Sequence, residues 1–319
     1  MTKPPALSIV IPVYNEQDVL PTLFARLDRV LESLGTPCEV VLVDDGSRDR
    51  SPALLREKQA ADPRVVVVAL SRNFGHQAAL SAGLRAASGD AVVLMDADLQ
   101  DPPEVIPELV ARWREGFKVV LAQRETRRET GLRRVLLDAF YALFRLVGEE
   151  ARVDSGIFGL MDRTVVDHLN AFTERNRFLP GLRTWVGFAT SAIHYHRDRR
   201  LAGTEKQSLR RLFGYGVDAI FSFSYAPLRV SFLVGAAVSV LACGYGAVRG
   251  VMRLLGIDVV PGFTTTTVSI LFLSGIQLIT IGILGEYVGR IYDEVKKRPL
   301  YIVEEVLRTK PSQGDEAGS

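Results

Sequence analysis

Val92-Val93-Leu94-Met95-Asp96-Ala97-Asp98-Leu99-Gln100-Asp101-Pro102-Pro103 is a short apolar run that ends in two acids one residue apart. Ser88-Gly89-Asp90 precedes it and two prolines close it, so the run predicts a buried strand. Alternation along an extended chain would put Asp96 and Asp98 on one side, where two carboxylates could hold one hard divalent cation. The same two acids could instead be a solvated strand end and a cap on the next helix. The surrounding chain has to choose between these.

Three similar runs come before it: Leu7 to Val13, Glu39 to Val43 and Val65 to Leu70. Helical stretches fall between them, at about 18–34, 51–60 and 76–87. Strands and helices alternating at this spacing predict an α/β domain with a mostly parallel sheet and helices on both faces. Ligands of such sheets sit beyond the carboxyl ends of the strands. Four strand ends carry polar clusters: Tyr14-Asn15-Glu16, Asp44-Asp45-Gly46-Ser47, Asn73-Phe74-Gly75 and Asp96-Ala97-Asp98. That coincidence favours a binding site over a cap. No G-x-G-x-x-G follows the first strand and no Walker lysine motif is present, which excludes the common dinucleotide and P-loop readings. Beyond Pro103 the pattern predicts a helix to about residue 116, a strand at 119–122 and a strand-like stretch at 153–163. Helices at 164–170 and 175–185, an alternating strand at 191–197 and a short last strand at 300–304 complete it.

Charge is nearly balanced at +2, so there is no nucleic-acid footprint. The two cysteines, Cys38 and Cys243, lie in regions of different character and suggest no disulfide framework. The first residues carry no recognisable secretion signal. A mean hydropathy of +0.14 beside 24% charged residues requires the two classes to be segregated along the chain. They are: Val230 to Val248 and Val259 to Gly285 contain no charged residue. Each can cross a hydrocarbon core of about 30 Å, and the short linker makes them a hairpin, with spans at about 229–251 and 262–286. Lysine and arginine crowd its outer ends, which places both ends and the α/β domain in the cytoplasm, at the inner (plasma) membrane. The stripe Leu132, Val135, Leu136, Ala139, Phe140, Leu143, Phe144 and Val147 is either core packing or a helix lying in the membrane interface. The expected division is a catalytic domain over 1–225 with interface helices at about 131–148 and 207–225. The hairpin follows over 226–290, then a segment over 291–319 with a short strand and a disordered tail.

Leu7 to Asn15, Val43-Asp44-Asp45-Gly46-Ser47, Asp96-Ala97-Asp98 with Leu99-Gln100-Asp101-Pro102-Pro103-Glu104, and Gly285-Glu286-Tyr287-Val288-Gly289-Arg290-Ile291-Tyr292 together resemble the family 2 glycosyltransferases. More narrowly, they resemble the polyprenyl-phosphate glycosyltransferases of the bactoprenol glucosyltransferase and dolichol-phosphate mannose synthase type. The resemblance implies a GT-A fold and transfer, with inversion, from a nucleotide sugar to a polyprenyl phosphate. Glucose from UDP-glucose is the leading choice; other UDP-sugars and GDP-mannose stay open. It further implies that Pro12, Tyr14, Glu16, Asp44 and Asp45, with Gly46 and Ser47, hold the nucleotide. Asp96 and Asp98 would hold Mg²⁺ or Mn²⁺ on the diphosphate, Ala97 and Gln100 would lie near the sugar and metal, and Asp154 would act on the acceptor side. A phosphomonoester with a second pKa of about 6 is already largely dianionic. Asp154 is therefore expected to orient the acceptor or shape the metal site rather than serve as an obligatory base. Arg124, Arg127, Arg128, Arg200 and Lys206 are the cations expected at the acceptor phosphate. The family and the glycine-bearing hairpin imply a homo-oligomer. A processive polysaccharide synthase would carry Gln-x-x-Arg-Trp and more spans, where this chain has only Arg183-Thr184-Trp185. A non-catalytic membrane scaffold would not need the intact Asp96, Asp98 and Asp154.

Overall fold

The computed structural model describes residues 6–124, 156–175, 177–195, 226–255 and 262–309. They fall into two compact units, the first made of the described residues among 6–195 and 298–309 and the second of those among 226–297.

The first unit begins with β1 (Leu7–Val13), α1 (Leu20–Leu34), β2 (Cys38–Asp44), α2 (Ser51–Ala61), β3 (Val65–Leu70), α3 (His76–Ala86) and β4 (Ala91–Leu94). A 3₁₀ turn at Pro103–Val105 leads into α4 (Ile106–Arg114) and β5 (Val119–Arg124). Next come β6 (Gly159–Asp162), α5 (Arg163–Ala171), α6 (Leu179–Trp185) and β7 (Thr190–Tyr195). The helices start where local chemistry allows. Proline occupies the first turn of α1, α2, α4 and α6, where its missing N–H costs nothing, and Asp162 caps α5 by accepting from Thr164 N–H at 3.1 Å.

The eight strands form one sheet in the order β7-β5-β6-β4-β1-β2-β3-β8, where β8 is Val303–Leu307. Six strands share a direction; β6 and β8 run against their neighbours. Strands β1 to β4 are hydrophobic on successive residues because both sheet faces are covered. Ile9, Ile11 and Val93 pack with α1 and α4 on one face. Val10, Val43, Val92 and Leu94 pack with α3, α5 and α6 on the other. Helix α3 lies so close that a Cβ on Gly83 would collide with Val10 and Val43, which explains a glycine inside a helix.

Chain order runs outward from β1 to β2 and β3, then returns to place β4 on the other side of β1. The β1/β4 boundary is thus a switch point, where loops leaving adjacent strands diverge and open a crevice.

The pattern misjudges several boundaries. β4 stops at Leu94, and Ala97-Asp98 already form a turn, so strand alternation does not govern Asp96 and Asp98. Of the expected 153–163, residues 153–155 lie outside the described residues and β6 begins at Gly159 rather than 156, and α6 begins at Leu179 rather than 175. The last strand lies three residues later than expected, because its position is set by pairing with β3, Leu70 against Val303 and Val67 against Leu307.

The second unit contains α7 (Ala226–Leu254) and α8 (Phe263–Val295). Both are long and apolar enough to cross a membrane, over Val230–Arg249 and Phe272–Val295, and neither window is buried within the protein. Phe232, Leu241, Phe272 and Leu278 are each more than 60% exposed, a surface suited to lipid rather than water. α8 does not end near 286 as expected. It continues through Glu286, Arg290 and Asp293, with Arg290 and Glu286 paired at 2.8 Å, because no proline interrupts it before Pro299.

Candidate active site

The three loops at the switch point are tied to one another by side chains that reach backbone N–H groups. Asn15 N–H donates to Ser47 Oγ at 3.1 Å, and Arg48 N–H donates to Asn15 Oδ1 at 2.8 Å. Ser47 N–H donates to Asp44 Oδ1 at 3.0 Å. Asn15 takes a positive φ of 55°, a conformation that asparagine tolerates better than most residues. The β1 and β2 loops therefore form one polar rim, with Tyr14 42% exposed upon it. Pro12 sits within β1 and Asp44 ends β2, buried.

Asp45 points inward. It is 3% exposed, and its two carboxylate oxygens accept from Phe74 N–H at 2.7 Å and Gly75 N–H at 3.0 Å. Burial pushes this carboxyl up; the two backbone donors oppose that and Asp44 adds to it. Next to it Gly46, with φ +67°, passes 2.5 Å from the Arg72 backbone measured to the place a Cβ would occupy. Only glycine fits there. The β2 and β3 loops are thus locked together at Asp45-Gly46.

The β4 loop supplies the acid pair. Asp98 Oδ1 accepts from Gln100 N–H at 3.1 Å, so Asp98 shapes its own turn and does not cap the next helix, whose cap position is Pro102. Leu99 adopts φ 58° and is buried, as is Ala97. A buried leucine in this region is strained, and such strain is held by the packing around it. His76, the first residue of α3, brings Nε2 to 3.4 Å from Asp96 Oδ1. Asp96 therefore faces a loop that also grips Asp45.

Residues 8–169, over half of the chain, match the glycosyl transferase family 2 domain, and residues 226–291 match the GtrB C-terminal hairpin. The chain belongs to glycosyl transferase family 2. An uncharacterized glycosyltransferase of Synechocystis is 44% identical over 303 residues, 94% of this chain and 95% of its own. A prophage-derived bactoprenol glucosyl transferase of Shigella flexneri is 41% identical over 307 residues, covering 96% and 99%. A prophage bactoprenol glucosyl transferase homolog of Escherichia coli is 40% identical over 304 residues, covering 95% and 99%. This protein is a glycosyltransferase with a GT-A-type sheet and a hairpin suited to a membrane.

Within the transferase, the residues expected at the nucleotide and the acid pair occupy the last residues of β1 and β2 and the loops after β1, β2 and β4, all at the carboxyl end of the parallel strands. Arg124 ends β5. Asp154, Arg127, Arg128, Arg200, Lys206 and both expected interface helices lie outside the described residues. Three residues of the site region escaped the sequence reading. His76 looks like an ordinary helix start. Tyr195, at the end of β7, donates its hydroxyl to the buried Asp101 of the acid loop. Arg183, 5% exposed, donates to the carbonyls of Gly156 at 3.0 Å and Ile157 at 3.4 Å, just after Asp154 in sequence. Burial pushes its guanidinium down to about 10.

Proposed function

We propose that the transferase moves glucose from UDP-glucose to the phosphate of a polyprenyl lipid, with inversion, at the cytoplasmic face of a membrane. The observation that carries this reading is the joint match of one chain to the family 2 domain and to the hairpin. It is supported by 41% identity, over almost the full length of both chains, to a protein named bactoprenol glucosyl transferase. The lysine and arginine at the outer ends of the hairpin support a cytoplasmic site and cytoplasmic termini.

Asp96 and Asp98 offer hard carboxylate oxygens on one short turn. Among the described residues no group of three or more histidine, cysteine and acidic side chains could hold a metal. A two-carboxylate set fits Mg²⁺ or Mn²⁺, ions that take their remaining ligands from diphosphate oxygens and water. Such an ion, when bound, offsets the charge that develops on the leaving diphosphate. The protein's own groups do the rest. Pro12, Tyr14, Glu16, Asp44, Gly46 and Ser47 receive the nucleotide on the β1–β2 rim, and Asp45 holds that rim from behind. Ala97 and Gln100 flank the sugar. A phosphate oxygen attacks the anomeric carbon as the bond to the diphosphate oxygen breaks. The dianionic nucleophile needs no proton removed, so Asp154 orients it, while Arg124, Arg127, Arg128, Arg200 and Lys206 balance its charge.

The test is one assay. Purified full-length protein is incubated with undecaprenyl phosphate, Mg²⁺ or Mn²⁺ and a panel of UDP- and GDP-sugars, and the lipid product is weighed by mass spectrometry. Hexosyl-phosphoryl-undecaprenol from UDP-glucose is expected, and a chelator should abolish it. Product from another donor alone would replace the sugar, and no glycolipid from any donor would overturn the reading.

A further inference from the structure

Away from the acid loop, the first unit contains an open cavity of about 340 Å³, within the size range of small-molecule sites. Ser81 and Arg85, one turn apart on α3, form one wall. The segment between α5 and α6 adds Phe172, Glu174 and Arg177, and Tyr301 closes it from the chain before β8.

Its charges do not balance internally. Arg177 donates through Nη2 to the Leu169 carbonyl, but its Nε is buried and has no hydrogen-bond partner among the described residues. Arg85 is exposed at the cavity wall and makes no hydrogen bond or ion pair among the described residues. The two guanidiniums are close enough to act on each other and on the Tyr301 hydroxyl. Arg177 is pushed down by burial, against the pull of Tyr301 and Glu174, and further by Arg85, and Tyr301 is pushed up by burial against the pull of both arginines. Glu174 is the one acid in the lining. Two cations against that one acid, a buried unfilled N–H and a phenol leave the lining with net positive charge and donors in excess.

We infer that this cavity is a second anion site, which takes a phosphate group between Arg85, Arg177 and the Tyr301 hydroxyl. A phosphate has enough acceptor oxygens to engage the Arg177 Nε and Arg85 together, and guanidinium forks match it in shape. The aromatic sides of Phe172 and Tyr301 leave an apolar wall for the organic part of a phosphate ester. The site is distinct from the acid pair: nine residues of α3, about 13 Å of helix, separate His76 from Arg85. The phosphate could belong to a soluble ester or to a lipid headgroup, since the chemistry is shared.

The test uses full-length protein carrying Asp96→Asn and Asp98→Asn, without divalent metal, so that the donor site is disabled. Inorganic phosphate and glycerol 1-phosphate are titrated while thermal unfolding is followed in detergent. A saturable rise in Tm is expected. Arg85→Gln should weaken the apparent affinity about tenfold, Arg177→Gln at least as much, and Glu174→Gln should tighten it. If Arg177→Gln fails to fold, the exposed Arg85 carries the test. No saturable response, or equal affinities in Arg85→Gln, Glu174→Gln and the parent, would overturn the proposal. Nanodiscs then separate the sources. If phosphatidate discs erase the response to added phosphate while zwitterionic discs keep it, the headgroup is the ligand. An equal response in both points to a soluble ester.

Discussion

His76 Nε2 stands 3.4 Å from Asp96 Oδ1, which joins the first turn of α3 to the acid pair. The loop before it is held by Asp45 through Phe74 and Gly75. One short connection therefore touches the loops of both β2 and β4, and His76 is its contact with the acids. His76→Ala should lower kcat/KM for the nucleotide sugar about three- to tenfold, the size of one modest polar contact. His76 is 44% exposed and holds no core position, so unfolding free energy should move by less than about 0.5 kcal/mol. Parent-like kinetics would make the contact incidental.

The inward carboxylate of Asp45 sets up a second prediction. Both of its oxygens accept N–H donors, and asparagine offers only one acceptor oxygen. Asp45→Asn turns an NH₂ group toward a backbone N–H and should cost about 1–3 kcal/mol, read by denaturant unfolding. Because the β2–β3 lock supports the nucleotide rim, KM for the donor should rise while KM for the lipid stays close to the parent's. Equal rises in both would place Asp45 outside that rim.

Asp162 gives the protein an acid limb. Burial alone would raise its carboxyl, but hydrogen bonds from Trp113, Lys118 and Thr164 together outweigh burial and hold it at about 2, below the usual 3.8. A depressed carboxylate contributes stability that is fully present above its unfolded value and is lost as pH falls toward its folded one. The window is therefore about pH 4 down to pH 2, and the contribution is about 2 kcal/mol. Asp162→Asn should remove it and flatten that part of the stability profile. Trp113 Nε1 donates to Asp162 at 2.9 Å, so indole fluorescence can follow the change directly.

How far the sequence speaks depends on the range of the forces involved. β1 and β3 begin and end where their apolar runs do, since nearly every side chain in them is buried on one face or the other. The clustering of polar loops at one edge was equally readable, because parallel strands force their carboxyl ends together. The acid pair was found, but its geometry was not. Strand pairing ends at Leu94, and a turn with Leu99 at positive φ takes over, which depends on the packing beneath it. The inward turn of Asp45 was hidden because its partners lie 29 and 30 residues away. The return of β8 to β3 rests on a pairing across more than 230 residues, which no local pattern encodes. Hydropathy marks the apolar part of α8 but not its polar continuation, where i, i+4 pairing extends the helix.

The same kind of distant contact yields the last prediction. Tyr195, at the end of β7, donates its hydroxyl to Asp101, which is 1% exposed and lies three residues after Asp98. The ring is itself fixed by an edge-on contact with Phe158, at 5.6 Å between centroids. Tyr195→Phe keeps the ring and its packing but takes one donor from a buried carboxylate. The expected cost is about 1 kcal/mol, the size of one hydrogen bond lost from a buried group. The acid loop should loosen as well, so the apparent affinity for Mn²⁺, read in turnover assays at saturating sugar donor, should fall several-fold. Tyr195→Leu removes ring and donor together and should destabilise further through lost packing. If Tyr195→Phe lost stability but kept its metal dependence, the Tyr195–Asp101 contact would anchor β7 without setting the positions of Asp96 and Asp98.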